Sequence, residues 1–156
     1  MTKKTSKKPA AQAIYAQTFT ANFSDCDPEQ ILFFAHYFKW AHDAIEGLTH
    51  HKKLWSTWFD SQSWGAPLRH VEADYFAPLA FGETAEAQIH VAHIGDTSIT
   101  FETHFVANTK NITGKKSVPK LTAVVRTIHV FVDRKTFKPT QVPKEVHERL
   151  RTPRKI

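Results

Sequence analysis

The hydrophobic and polar positions of this chain follow two different periods. Within residues 14–23, aromatic positions at odd numbers alternate with threonine and asparagine, which is the period of two expected for a half-buried strand. From Phe34 to Leu48, apolar residues recur every three or four positions, which predicts an amphipathic helix. The apolar side of this helix is widened by Phe33 and Trp40. We therefore expect the helix to be covered on most sides.

Four further strands are predicted after the helix. They cover residues 70–77, 85–91, 99–105 and 121–132, and Gly95–Thr97 is predicted to form the hairpin turn between the second and third of them. The last strand is apolar on both faces, which is typical of a strand inside a sheet. Consecutive strands without intervening helices indicate an antiparallel sheet. The expected fold is α+β, with an antiparallel sheet wrapped around a long central helix.

Composition favours one folded domain with charged ends. The chain has 156 residues, of which 41% are hydrophobic. We expect a disordered basic tail over residues 1–13, a domain over residues 14–150 and a basic C-terminal tail over residues 151–156. No apolar run approaches the roughly 20 residues that cross a bilayer. Together with the single cysteine, Cys26, this favours the reducing environment of the cytoplasm.

The net charge of +6 favours an anionic partner. Basic residues cluster at both ends and in the loop 110–120, so nucleic acid, anionic lipid and the phosphates of a nucleotide-bearing ligand all remain candidates. The sequence contains no recognisable nucleic-acid-binding motif, and its lysines lie in tails and a loop. A nucleic-acid-binding domain is therefore the least favoured of the alternatives.

The stretch FSDCDPEQ, Phe23–Gln30, places two aspartates directly before the helix. Aspartates at such a junction commonly form turns and helix caps, and Asp27 precedes a proline that favours an extended backbone. A carboxylate there can equally face a substrate held at the positive end of the helix. Local sequence leaves both interpretations open for Asp25 and Asp27. Cys26 lies between two carboxylates that disfavour its thiolate, so we do not expect a nucleophilic cysteine.

The sequence lacks the motifs of common metal sites and of serine hydrolases. The ten histidines include no His-Glu-x-x-His pattern, there is no paired-cysteine motif, and no Gly-x-Ser-x-Gly is present. No metal is expected. His36, on the first helical turn, could reach a site there, although a lone histidine more often lies at a surface or an interface. His70, Glu72 and Asp74 share one strand face, where solvent, a subunit contact or a pocket would be their surroundings.

Four segments together resemble the hotdog-fold thioesterases of the 4-hydroxybenzoyl-CoA thioesterase family. The segments are FSDCDP, ILFFAHYFKWAHDA, HVEADYFAPLAFGE and IHVFVDRKTFKPTQVP, and the likeness spans about residues 15–150. Its most specific part is the combination of Asp-x-Asp-Pro before the helix with Asp-Tyr-x-Ala-Pro-Leu-x-Phe-Gly further along. The resemblance implies a hotdog fold that hydrolyses an acyl-CoA thioester at the interface of a homodimer or a dimer of dimers. No separate cofactor is expected, because coenzyme A is part of the substrate.

The resemblance also assigns roles to residues at the start of the helix. By position, the catalytic aspartate of the family falls on Asp27, as general base or as nucleophile. The backbone N–H that polarises the thioester carbonyl falls near Phe34, with Phe33 beside it, where unpaired N–H groups and the helix dipole favour an oxyanion. Asp25 is expected to be mainly structural. The pair Glu29-Gln30 stands where the family often has Ala-Gly.

The sequence gives fewer indications of the residues that contact the substrate. Ser98 matches a family residue near the nucleotide phosphates, but the arginines that some relatives use there are absent, so Lys115 and Lys116 are candidates from their charge. Trp64 and the aromatic residues near the helix start are compatible with an aromatic or medium-chain acyl group. The main alternative is a hotdog protein that binds acyl-CoA without catalysis, because Glu29-Gln30 alters the usual turn.

Overall fold

The computed structural model describes residues 12–54, 63–107 and 118–151. They form seven strands, two α-helices and one short 3-10 helix. In chain order the elements are β1 (Tyr15–Thr20), the 3-10 helix (Phe23–Asp25), α1 (His36–His51), β2 (Trp64–Gly65), β3 (Leu68–Tyr75), β4 (Thr84–Ile94), β5 (Ser98–Ala107), β6 (Lys120–Val130), β7 (Val132–Asp133) and α2 (Lys144–Arg151).

Five of the strands form one antiparallel sheet in the order β1-β4-β5-β6-β3. The hairpin predicted between β4 and β5 is confirmed, since the Gly95 N–H donates to the Ser98 carbonyl oxygen at 2.8 Å. The apolar strand β6 lies inside the sheet between β5 and β3, also as predicted. Strands β2 and β7 pair with each other as a separate two-stranded sheet.

Helix α1 contributes its apolar stripe to a core shared with one face of the sheet. Small residues on the sheet and on the helix let the two approach closely, and the aromatic and branched side chains fill the space between them. Burial of each large side chain of this kind contributes about 1.5–3 kcal/mol. The residues buried from α1 include Tyr37, Trp40, Ala41, Ala44, Ile45 and Leu48, and those from the sheet include Ala85, Ala87, Ile89, Phe101, Phe105, Ala123 and Val125.

The opposite face of the sheet is polar. Arg126 on β6 lies between two carboxylates, with its Nη1 3.7 Å from Glu72 and its Nε 3.9 Å from Glu102. His70 lies 3.2 Å from Glu72 on the same exposed face. Pairs this exposed contribute little to stability. Within the described residues, His70 and Glu72 therefore lie on an open outer surface and not against the helix.

Most predicted strands differ from the observed ones by a few residues at their ends, and three differences have a clear structural cause. Helix α1 begins at His36 instead of Phe34, because the Phe33 carbonyl accepts the His36 N–H at 2.9 Å and closes a turn before the helix. The first strand ends at Thr20, and Phe23 begins the 3-10 helix. The strand expected over residues 121–132 is interrupted at Phe131, whose N–H pairs with the loop before β5.

The small sheet and α2 were not predicted. Each strand of the small sheet has only two residues, too few for a period to show. Only Val146 and Leu150 of α2 are buried. None of the helices in the described parts of the chain has the length and apolar character needed to cross a membrane.

Candidate active site

Asp27 lies in a tight turn between the 3-10 helix and α1. Its N–H donates to the Ile31 carbonyl and its carbonyl accepts from the Gln30 N–H, each at 2.9 Å. Its carboxylate Oδ1 accepts the Glu29 N–H, also at 2.9 Å. Because this bond fixes the carboxylate through one oxygen, Oδ2 stays available, with no hydrogen-bond partner within the described residues.

Asp25 has the structural role expected of it. Its Oδ2 accepts the backbone N–H of Asn22 at 3.0 Å and the side-chain amide of the same residue at 3.2 Å. These bonds close the 3-10 helix at its start. The other oxygen lies 3.9 Å from Nδ1 of His36. The two aspartates therefore differ, because the carboxylate of Asp25 is committed to its own turn.

The backbone before α1 offers one open donor where the sequence suggested two. The Phe33 N–H donates to the Asp25 carbonyl at 2.9 Å, so it is already paired and the expectation that it helps to hold an oxyanion needs correction. The Phe34 N–H has no acceptor among the described residues. The hydroxyl of Tyr75, at the end of β3, donates to the Phe34 carbonyl at 3.0 Å. Phe34 is thus held at a fixed place at the start of the helix.

Asp27 opens onto a pocket of about 390 Å³. Part of its wall is formed by the aromatic rings of Phe23 and Phe81, which meet edge to face with centroids 6.1 Å apart. Both rings are exposed, at 81% and 52%. An apolar pocket with one half-buried carboxylate suits a ligand that is mostly apolar near its reacting group. The lining residues are Phe23, Cys26, Asp27, Pro28, Gln30 and Phe81.

The surroundings of Cys26 disfavour ionisation of its thiol. Partial burial raises the pKa of Cys26, and the neighbouring carboxylates of Asp25 and Asp27 raise it further. A thiol with a raised pKa is a poor nucleophile. Cys26 is therefore part of the wall of the pocket, beside the carboxylate of Asp27.

The remaining candidates lie apart from Asp27 within one chain. His36 contacts Asp25 and the ring of Phe33, but it does not line the pocket. Trp64 lies in β2, where its ring centroid is 5.0 Å from that of the buried Phe131, so the expectation that it belongs with the aromatic residues at the helix start is not met within one chain.

Ser98 begins β5 and lies at the opposite end of that strand from Phe105, which packs against Tyr37 on the first turn of α1. A single chain therefore does not bring Ser98 to Asp27. The predicted phosphate contacts Lys115 and Lys116 lie outside the described residues. Among the described residues, no group of three or more histidine, cysteine, aspartate or glutamate side chains is placed to hold a metal ion.

Sequence reasoning missed two contributors to the site. Tyr75 and Phe81 belong to the segment that carries the resemblance, but their contacts with Phe34 and Phe23 join residues far apart in the chain. Gln30 was noticed only as a departure from the family pattern. The sequence signal was the glutamine itself at a position where the family often has glycine, and the structure shows why it matters: the φ of Gln30 is 60°, a conformation that favours glycine.

An antiparallel sheet packed on one long helix is the architecture of the hotdog fold. The family described as the thioesterase-like superfamily matches residues 21–150, and the chain belongs to it. The predicted fold and the predicted class of enzyme, a thioester hydrolase, are thereby confirmed.

Individual relatives match the chain at low sequence identity. A 1,4-dihydroxy-2-naphthoyl-CoA hydrolase from Crocosphaera subtropica is 25% identical over 134 residues, covering 85% of this chain and 93% of the relative. The crystal structure of the dynemicin thioesterase superposes with a TM-score of 0.75 at 17% identity, covering 87% of this chain and 94% of that one. A 1,4-dihydroxy-2-naphthoyl-CoA thioesterase from Synechocystis superposes with a TM-score of 0.70 at 16% identity, with the same coverage.

Proposed function

We propose that this protein hydrolyses the thioester of an acyl-CoA with an aromatic acyl group, giving a free acid and coenzyme A, and that Asp27 carries the reaction. The observation behind the proposal is the Asp27 carboxylate, which is fixed through Oδ1 and open at Oδ2 to an aromatic-lined pocket. The names of the relatives from Crocosphaera subtropica and Synechocystis, both enzymes for an aromatic acyl-CoA, support this substrate class.

In the proposed reaction, the Asp27 carboxylate acts as base or as nucleophile. As a base it takes a proton from water while the water oxygen attacks the thioester carbon. As a nucleophile it attacks that carbon itself, and water then cleaves the mixed anhydride. In either case the carbonyl oxygen becomes an oxyanion, which the Phe34 N–H and the positive end of α1 stabilise. Collapse of this oxyanion breaks the C–S bond, which gives the acid directly in the first route and the mixed anhydride in the second, and the coenzyme A thiolate leaves and takes up a proton.

We further propose that the active form is a homodimer or a dimer of dimers, with the pocket completed by a second copy. Within the described residues β3 pairs only with β6, and its other edge is open. All but one of the eight residues of β3 are exposed, including Leu68 at 50% and Val71 at 38%. An open edge with exposed apolar side chains is a surface for strand pairing. Light scattering at micromolar concentration should therefore give a mass at least twice 17.8 kDa.

A second copy would also explain the scattered substrate contacts. Trp64 and Ser98 could then line a pocket together with Asp27 of the other copy, and Lys115 and Lys116 could meet the phosphates of coenzyme A. This arrangement predicts that alanine substitution of both lysines raises KM and weakens its dependence on salt. We also propose a cytoplasmic location, which the single cysteine of the sequence supports.

Asp27→Asn is the direct test of the proposed reaction. Asparagine keeps the size of the side chain and an oxygen that accepts the Glu29 N–H, but it is neither a base nor a nucleophile. We expect thiol release to fall by about 10²–10⁴ while the protein still folds and binds acyl-CoA. The control is Asp25→Asn, which should leave the rate almost unchanged and act through stability.

Two results would contradict the proposed reaction. One is an Asp27→Asn protein that hydrolyses a good substrate near the wild-type rate. The other is a loss of activity that a melting curve on the same sample traces to unfolding. A wild-type protein that binds acyl-CoA esters tightly but releases thiol from none of them would instead be a binding protein.

A further inference from the structure

Gln30 adopts a backbone conformation that favours glycine. Its φ is 60°, in the left-handed region that residues with a Cβ rarely occupy. Three hydrogen bonds hold the turn around it: Gln30 N–H to the Asp27 carbonyl, Phe81 N–H to the Gln30 carbonyl and Asp27 N–H to the Ile31 carbonyl, each at 2.9 Å. The turn therefore imposes the conformation, and a glycine would satisfy the same bonds without strain.

The surroundings of the Gln30 side chain indicate a role in ligand binding. Gln30 is exposed and lines the same pocket as Asp27. No described residue donates to or accepts from its carboxamide. Lys53 and Phe137 have similar φ values, so strain alone does not mark a site; Gln30 differs from both because its side chain lines the pocket of Asp27, and backbone strain at such a place is often connected with function.

The other side chains of the pocket wall indicate which kind of ligand group the Gln30 carboxamide could contact. Apart from Asp27, the other described lining side chains are the rings of Phe23, Phe81 and Pro28 and the thiol of Cys26. Among the described residues that line this wall, Gln30 thus supplies the only side-chain amide, with both donor and acceptor groups. Since Asp27 must reach the thioester carbon, whatever fills the pocket lies directly beside that carbon.

We propose that Gln30 is a specificity-determining residue whose carboxamide hydrogen-bonds an uncharged polar substituent on the acyl group, next to the thioester attacked through Asp27. This inference rests on the proposed function. The rings of Phe23 and Phe81 contact the apolar ring of the acyl group. Gln30 then discriminates between acyl groups by the polar substituents that they carry. A site that offers such a bond discriminates against a substrate that lacks the partner group.

Two substitutions of Gln30 distinguish the effect of its hydrogen-bonding groups from the effect of its backbone strain. Gln30→Met keeps the length and the left-handed backbone but removes the hydrogen-bonding groups. Gln30→Gly removes the side chain and the strain together, so it should fold and melt at or above the wild-type temperature. The controls are Lys53→Gly and Phe137→Gly, at the other two non-glycine residues of positive φ, 57° and 56°, among the described residues. Both lie outside the pocket and should leave kcat/KM unchanged.

The probes are benzoyl-CoA and its 2-, 3- and 4-hydroxy derivatives, assayed by thiol release. We expect wild type to prefer at least one hydroxybenzoyl-CoA by about fivefold in kcat/KM, the value of one net hydrogen bond. In Gln30→Met and Gln30→Gly this preference should disappear, with benzoyl-CoA hydrolysed as well as before.

Other patterns would overturn the inference. A preference that survives in both variants would remove Gln30 from the site. An equal loss for all four esters would place its contact on the coenzyme A portion that they share. Hydrolysis that depends on Asp27 but accepts only aliphatic esters would refute the inference and the aromatic acyl group, while leaving thioester hydrolysis by Asp27 in place. Only the Asp27→Asn result tests the reaction itself.

Discussion

The hydroxyl of Tyr75 donates a hydrogen bond of 3.0 Å to the carbonyl oxygen of Phe34, forty-one positions earlier in the chain. The bond joins the end of an edge strand to the turn that starts α1. The ring of Tyr75 also packs edge-on against Tyr37, with centroids 5.5 Å apart. The strand thereby fixes the backbone that carries the proposed oxyanion donor, so Tyr75 is a positioning residue.

Tyr75→Phe removes only the hydroxyl oxygen that donates to the Phe34 carbonyl, and so tests the positioning role of Tyr75. Loss of one net hydrogen bond of about 1 kcal/mol corresponds to a change of about fivefold, which we expect mainly in kcat, with KM little altered. The control is Tyr15→Phe, which removes a hydroxyl bonded to Gln17 near the other end of α1. Steady-state kinetics and melting curves on both proteins make the comparison. An equal effect of the two substitutions on kcat would show that Tyr75 acts only through stability.

Phe34→Pro removes the proposed oxyanion donor itself. Phe34 follows Phe33 in a turn closed by the bond from His36 N–H to the Phe33 carbonyl, and proline suits the second position of such a turn. We expect the fold to survive and kcat to fall by about 10²–10³, the usual effect of losing one oxyanion donor.

The ring of Phe34 needs a separate control, because proline removes it as well. Phe34→Ala removes the ring but keeps the N–H, so its kcat should stay much closer to that of wild type. Circular dichroism should show the same helix content in both. Equal rates for the two variants would exclude the Phe34 N–H as the oxyanion donor.

Cys26 reports on the charge of Asp27 because it is the single cysteine of the chain. Burial and the two adjacent carboxylates raise its pKa, so the folded protein should react with iodoacetamide at pH 8 more slowly than the protein in denaturant. Asp27→Asn removes one of those carboxylates and should speed the reaction of the folded protein. The measurement is the alkylation rate by mass spectrometry. An unchanged rate would mean that Asp27 carries no charge beside the thiol.

The sequence predicted the parts of this site that depend on neighbours in the chain. Asp27 and the helix start follow from a turn-forming stretch next to an apolar run of helical period. The pairing of the Phe33 N–H with Asp25 could not be predicted, because it depends on how the turn closes and not on residue type. The bond from Tyr75 to Phe34 depends on the sheet bringing β3 to the helix.

The same limit applies to the fold. The five-stranded sheet and α1 repeat a clear period over many residues, and the structure contains them. Phe131 interrupts an apolar run that looked continuous, because its N–H pairs with the Thr97 carbonyl and not with a neighbouring strand. Helix α2 buries only two side chains, Val146 and Leu150, too few for an apolar stripe to be distinguished from chance.

The stability of the protein should depend on pH through His129. This residue of β6 is only 7% exposed, and its Nδ1 lies 3.2 Å from the Ala66 carbonyl oxygen. Burial lowers the pKa of His129, with a further lowering from His42, and the bond to Ala66 only partly opposes them. As pH falls through about 6.5, the unfolded chain therefore takes up a proton before the folded protein does. The contribution is fully present above that pH and is lost progressively toward the lower pKa of the folded state.

His129→Gln should remove this dependence while keeping an amide that can donate to Ala66. The measurement is the free energy of unfolding in urea at pH 7.5 and at pH 5.5. The other histidines are common to both proteins, so they cancel when the change of wild type is compared with that of the variant. We expect wild type to lose more stability than His129→Gln between the two pH values, although the variant is the less stable at pH 7.5 because its side chain fills the buried site less well. Equal losses in the two proteins would contradict the prediction. They would mean that His129 binds its proton as readily in the folded protein as in the unfolded chain, in spite of its burial among core side chains.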